Sequence, residues 1–314
     1  MYGDQTMKTT LKAFAIITTF LLVIPALARA EYHDTVEKSF DVGSGGTLTV
    51  TSDLGSITVQ SHSSETVDIE IEQKIKASRS KAEDILEDID ISFDKRGDDV
   101  FLNIEWDRPK RLHRVNISQK IEVRVPERYN LDLKTSGGGI RVSDLDGFVK
   151  ARTSGGGISV GNVSGQVSCN TSGGGVTVGD AGGDVKIVTS GGGITLRHVE
   201  GAVDVKTSGG GIEIEEAYDC IDATTSGGPI RATLANQPRK DCRLNTSGGG
   251  ITLSLSRDIN ADIDARTSGG NVRTNMPITV TGKIDTKHIK GKINDGGPLV
   301  YLRTSGGSIH IDEL

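Results

Sequence analysis

Three residue patterns in this chain could do chemistry: repeated Thr-Ser hydroxyls, runs of glycine, and columns of carboxylates. Thr-Ser-Gly-Gly occurs at Thr135, Thr153, Thr171, Thr189, Thr207, Thr225, Thr246, Thr267 and Thr304. As a phosphate cradle, Ser-Gly-Gly-Gly would need Gly-Lys-Ser/Thr opening a helix, whereas a strand pattern follows each copy. Calcium rolls built on an 18-residue coil need Gly-Gly-x-Gly-x-Asp, with a carboxylate at each turn to ligate the ion. Here the glycines run into Ile or Val, and the turn holds no Asp.

Nine residues after the Thr, a polar column reads Asp144, Asn162, Asp180, His198, Glu216. Stacked strands would set these side chains about 4.8 Å apart. That column reads as a solvated edge rather than a metal site. Glycan cleavage would need two carboxyls, or an acid–base set, in one groove. Asp204, Glu213, Glu215, Glu216, Asp219 and Asp222 cluster in sequence around two copies, but no aromatic platform joins them. No catalytic, cofactor-binding or metal-ligating residue is assigned, and the chain is read as a non-enzyme.

The elements that carry these residues follow from the period. The first six Thr are 18 residues apart, the next two steps are 21, and the last is 37, with a worn copy at Thr286 dividing it. A fixed short period over most of a chain means stacked supersecondary units, hence a solenoid. Apolar residues stand four and two before the Thr (Val149 and Ala151) and five and seven after it (Ile158 and Val160). This period-two alternation gives two short strands per unit, each with one face inward. A third apolar position, Leu145, Val163, Ala181, Val199 and Ala217, closes the coil. Eighteen residues leave no room for a crossover helix, so the class is all-β, a parallel β-solenoid of about eleven coils. The corner glycines Gly137, Gly155, Gly173, Gly191, Gly209, Gly227, Gly248, Gly269 and Gly306 are expected at positive φ, where glycine has no steric penalty. The inward Thr is expected to form a ladder.

Upstream, Lys8 and Lys12 precede an apolar run from Ala13 to Leu27 and an Ala28-Arg29-Ala30 end. That is the pattern of a secretory signal peptide, residues 1–30, cleaved after Ala30. Residues 31–130 read as a first coil, with Ser52 in the Thr place, interrupted by an α+β excursion that caps the stack. The excursion has a helix starting at Ser80 and strands at Ile91–Phe93, Val100–Trp106 and Val115–Val125. Residues 131–314 form the repeat solenoid, with Ile309–Ile311 as an open last strand. Cleavage moves the formal charge from −6 to −8. An acidic chain with mixed-sign faces and 4% aromatics is a poor nucleic-acid binder.

The signal peptide, the early Gly-Ser-Ile-x-Val coil (Gly55 to Val59) and the later Thr-Ser-Gly-Gly-Gly-Ile-x-Val coils resemble a bacterial family named putative adhesin. The strand Ile121-Glu-Val-Arg-Val-Pro126 looks like the segment that precedes that family's repeats. The resemblance implies an exported β-helix and carries no catalytic residues. The leading expectation is a non-enzymatic scaffold of the periplasm or cell surface, binding an envelope glycan or protein by many weak contacts. End-to-end self-assembly through open coils is the alternative, and a glycan-active β-helix enzyme comes third. The register also sets Cys220 and Cys242 in adjacent coils, near disulfide range in an oxidising compartment, though one residue out of step. Cys169, three coils from Cys220, is expected to be a buried free thiol.

Overall fold

The computed structural model describes residues 31–107, 116–280 and 285–314. The expected signal peptide lies outside the described residues, as do Val115 and Ile284. The fold is a β-solenoid: two long sheets of 13 and 14 strands face each other across an apolar interior. Among the described residues one short helix, Arg79–Glu87, interrupts the strands, with Ser78 rather than Ser80 at its N-cap.

Each repeat lays down one rung, a strand in each sheet. The Thr153 rung consists of Val149–Thr153 and Ile158–Val160. Val149 pairs in parallel with Leu131 on one side and Val167 on the other; Ile158 pairs with Ile140 and Val176. This pairing without slip follows from the apolar columns, because a one-residue shift would turn every inward side chain to water. The inward columns are buried, and so is the third position from Leu145 to Ala217. There, isolated bridges link Leu145, Val163, Ala181 and Val199 from rung to rung.

Both ends depart from simple stacking in chain order. At the N-terminal end the Ser52 rung, Thr47–Ser52 and Ser56–His62, stacks on the Thr135 rung. The excursion then runs outward and supplies a further rung of the same two sheets. Asp99–Trp106 pairs in parallel with Thr47–Ser52, and Ile117–Pro126 with Ser56–His62. Antiparallel strands finish this end: Ile89–Arg96 on one sheet, Thr66–Ile75 and Tyr32–Asp41 on the other. The helix buries Ala82 and Ile85 beside Ile75.

At the C-terminal end the expectation of an open last strand is corrected. Ile309–Glu313 lies between Ile251–Leu255 and Val272–Thr274, and Leu299–Thr304 lies between Cys242–Thr246 and Ala261–Thr267. The last rung in sequence is thus inserted between the Thr246 and Thr267 rungs. The Thr286 copy is no rung: it occupies the turn before His288–Ile293, which runs antiparallel to Ala261–Thr267. That antiparallel strand blunts one edge, and the other edge is the three-residue strand Val272–Thr274. Short and covered edges oppose strand addition, which weighs against end-to-end growth. Nine threonine rungs, the Ser52 rung and the outermost excursion rung make eleven.

Candidate binding faces

Sequence reasoning pointed to the corners first, and the structure shows what holds them. Every repeat threonine is buried, and its hydroxyl donates to a glycine carbonyl in the neighbouring rung. Thr153 bonds to the oxygen of Gly138 at 2.6 Å, Thr171 to Gly156 at 2.7 Å and Thr189 to Gly174 at 2.7 Å. The ladder satisfies carbonyls that would otherwise be unpaired in a tight corner.

The reason for the glycines is corrected. Among the described residues the glycines at positive φ are Gly45, Gly55, Gly97 and Gly296; the corner set Gly137, Gly155, Gly173, Gly191, Gly209, Gly227, Gly248, Gly269 and Gly306 is not among them. Apart from Gly137, where an added Cβ would meet only the Gly55 nitrogen at 3.9 Å, these corners need glycine because the backbones of adjacent rungs nearly touch. A Cβ on Gly174 would lie 2.3 Å from the nitrogen of Gly157, and one on Gly173 would lie 2.6 Å from the oxygen of Gly155. The corner is therefore structural.

With interior and corners occupied by structure, the outward rows are the surfaces available for binding. On the second-strand sheet, Arg141, Ser159, Thr177, Thr195, Glu213 and Arg231 stand in one register row. On the first-strand sheet, Asp132 receives Lys150 at 2.7 Å and Arg152 at 3.6 Å, while Asp204 receives Lys186 at 3.7 Å and Lys206 at 3.0 Å. These exposed pairs add little stability and set the charge pattern of the face.

The polar column nine after the Thr is a hydrogen-bonded edge. The amide nitrogen of Asn162 donates to Asp144 at 2.7 Å, and that of Asp180 donates to the Asn162 side chain at 3.0 Å. His198 sits between Asp180, 2.8 Å away, and Glu216, 3.4 Å away. Among the described residues, no group of three or more His, Cys, Asp or Glu is disposed to hold a metal ion.

The carboxylates that looked like a cluster in sequence do not share a groove. Asp204 and Asp222 are neighbours on the first-strand sheet, whereas Glu213 belongs to the row of the second. Asp219 is buried at a corner, where it accepts from the Arg239 guanidinium at 2.8 and 2.5 Å and from the backbone nitrogens of Cys220 and Arg239. Burial pushes its pKa up, but the bonds from Arg239 and Cys220 outweigh that and hold it below the usual carboxylate value. Asp219 thereby anchors the bulge that lengthens the first 21-residue spacing. The second bulge stacks on the first, since Asn260 donates to Gln237 at 2.8 Å and Gln237 donates back to the Asn260 carbonyl at 2.9 Å.

All three cysteines are free thiols. Cys169 and Cys242 are buried, and burial pushes each up to about 12. Asp222 pairs with Arg243, so the one-residue offset between Cys220 and Cys242 persists; Cys242 is buried and Cys220 only half-buried. Sequence reasoning missed the approach of Arg243, Tyr301 and Arg303. Their neighbourhood exists only because the last rung is inserted, and no local signal marks that.

A family model described as Toastrack DUF4097 matches residues 46–312, nearly the whole stack of rungs. The chain belongs to that family. Solved structures similar to this chain include a putative adhesin from Parabacteroides distasonis, at 13% identity over 90% of this chain and 97% of that one, with a TM-score of 0.45. Others are a putative lipid binding protein from the same species, at 10% identity over 90% and 97% with a TM-score of 0.38, and a putative adhesin from Parabacteroides merdae, at 9% over 89% and 96% with a TM-score of 0.36. A search of curated proteins returned no match. No described helix of this Toastrack chain is long and apolar enough to cross a membrane.

Proposed function

We propose that this Toastrack chain is a non-catalytic binding scaffold, exported to the periplasm or cell surface, that attaches to an envelope glycan or protein by repeated weak contacts. The observation that carries the reading is the fixed register of outward side chains: Arg141, Ser159 and Thr177 lie in one row at rung spacing on a continuous sheet. Shallow rows of this kind suit several modest contacts made at once, where each engaged site raises the effective concentration for the next. The separation of Asp204 and Asp222 from Glu213 onto different sheets supports binding over glycan cleavage. The test is an array of envelope glycans and matrix proteins probed with the purified chain, alongside a reducing-end assay on the same glycans. Saturable binding without cleavage is expected. Release of reducing ends would contradict the reading.

A further inference from the structure

Insertion of the last rung builds a side-chain neighbourhood that chain order does not contain. On the outward face of the first-strand sheet, Arg243, Tyr301 and Asp264 stand in one register row, and Asn245, Arg303 and Arg266 in the next. The Arg243 guanidinium lies over the Tyr301 ring, 6.0 Å from its centroid. Arg303 donates from Nη1 to the Tyr301 hydroxyl at 3.2 Å. Tyr301 thus braces two guanidinium groups from adjacent rungs.

The charge balance of this patch differs from that of the middle of the face. Lys150, Arg152, Lys186 and Lys206 are taken up by Asp132 and Asp204. Arg243, Arg266 and Arg303 are exposed, and among the described residues none of them has a carboxylate at ion-pair distance. Two carboxylates stand in the row of Arg243: Asp264, held by His288 at 2.9 Å, and Asp222, the register partner of Arg243 on the preceding rung, which lies beyond ion-pair distance of it. Three guanidinium forks with free donors therefore face solvent in a chain whose formal net charge is −6.

We infer that this patch binds an acidic polysaccharide through its carboxylate groups, an inference that deepens the proposed scaffold role and rests on it. Guanidinium forks match carboxylates in two parallel hydrogen bonds, and a braced arginine loses less freedom on binding. Three rungs cover about 10 Å, so one patch reaches across two sugar units of an extended chain. A nucleic acid is less suited, because stacking along a strand needs several aromatics and the patch has one. A lipid surface would call for exposed apolar anchors, yet the large hydrophobics exposed among the described residues are Phe148, Val188 and Leu314, none in the patch.

Calorimetric titration of the purified chain with an oligogalacturonate tests this, with a neutral malto-oligosaccharide, phosphatidylglycerol vesicles and a single-stranded oligodeoxynucleotide as comparison probes. Saturable oligogalacturonate binding that weakens with salt is expected, with Kd rising about tenfold or more in the R243Q/R266Q/R303Q variant. The variant K76Q/K81Q, at exposed positions of the N-terminal cap, should bind as wild type does, and thermal melts verify that both variants fold. If the triple variant does not fold, the single variant R266Q is read instead, with a Kd increase of about threefold or more expected from one lost fork. No binding, equal binding of the neutral sugar, unchanged affinity in the arginine variant, or tighter binding of vesicles or oligonucleotide would overturn the inference. An array hit on some other envelope ligand with no oligogalacturonate binding would overturn this inference and leave the scaffold reading standing.

Discussion

The hydroxyl of Thr267 donates to the carbonyl oxygen of Gly307 at 2.6 Å, reaching forward 40 residues in the chain. Thr304 in turn donates to Gly249, and Thr246 to Gly228. The threonine ladder therefore runs through the inserted rung without a break, and it records the spatial order of the rungs independently of the strand pairings.

The ladder should be measurable one step at a time. Thr189→Val keeps the shape and removes the donor, leaving the Gly174 carbonyl in its corner without that partner. We expect a loss of about 1–3 kcal/mol in chemical denaturation, because a buried acceptor without a partner costs more than the bond itself contributes. A change below the error of the melt would show that the ladder follows from stacking and does not hold it.

Two glycine substitutions separate close approach from backbone conformation. Gly97 has φ +63° in the hairpin between Ile89–Arg96 and Asp99–Trp106, and a Cβ added there would meet nothing within 4 Å. Gly97→Asn should be nearly neutral, since asparagine tolerates the left-handed region. Gly174→Asn should cost about 1–3 kcal/mol or more through overpacking against the Gly157 backbone. Equal tolerance at both sites would return the corner to a conformational explanation.

Much of this was legible in the sequence because a solenoid writes its interior as columns. Val149, Ala151, Ile158 and Val160 needed only period two and a repeat length to be placed correctly. The corner was located but explained wrongly: contact between Gly174 and Gly157 is a distance between rungs, and one unit's sequence does not contain it. The ends were harder. Thr286 has the right spacing for a rung, yet His288–Ile293 pairs antiparallel with Ala261–Thr267, and a strand pattern does not state its partner's direction. The Arg243–Tyr301 contact was invisible for the same reason.

Acid should erase one specific contribution. The folded-state pKa of Asp219 is lowered, so its contribution to stability is present above the unfolded carboxylate value near 3.9 and is lost as pH falls through the lowered folded value. Wild type should be more stable than Asp219→Asn at pH 7, and the gap should narrow below about pH 4. A gap that stays constant down to pH 2 would mean that the carboxylate charge is not what anchors Arg239.

Thiol chemistry should follow burial. Cys220, the half-buried thiol, should react first with a maleimide, well ahead of Cys169 and Cys242, whose thiols are pushed up to about 12. Non-reducing peptide mapping is expected to show no bond between Cys220 and Cys242, given their one-residue offset. A linked peptide would show that this corner relaxes enough to close the gap.

The order of the rungs underlies both the closed C-terminal end and the arginine patch, and oxidative cross-linking reads it directly. In a Cys220→Ser background, paired cysteines replace Asn245 and Arg303 in one protein, and Asn245 and Arg266 in another. Asn245 pairs with Arg303 in the inserted rung, and Arg303 in turn pairs with Arg266 on its far side. Rapid cross-linking of N245C with R303C, and none of N245C with R266C, is the predicted result. Efficient linkage of N245C with R266C instead would place the Thr246 and Thr267 rungs side by side and contradict the insertion.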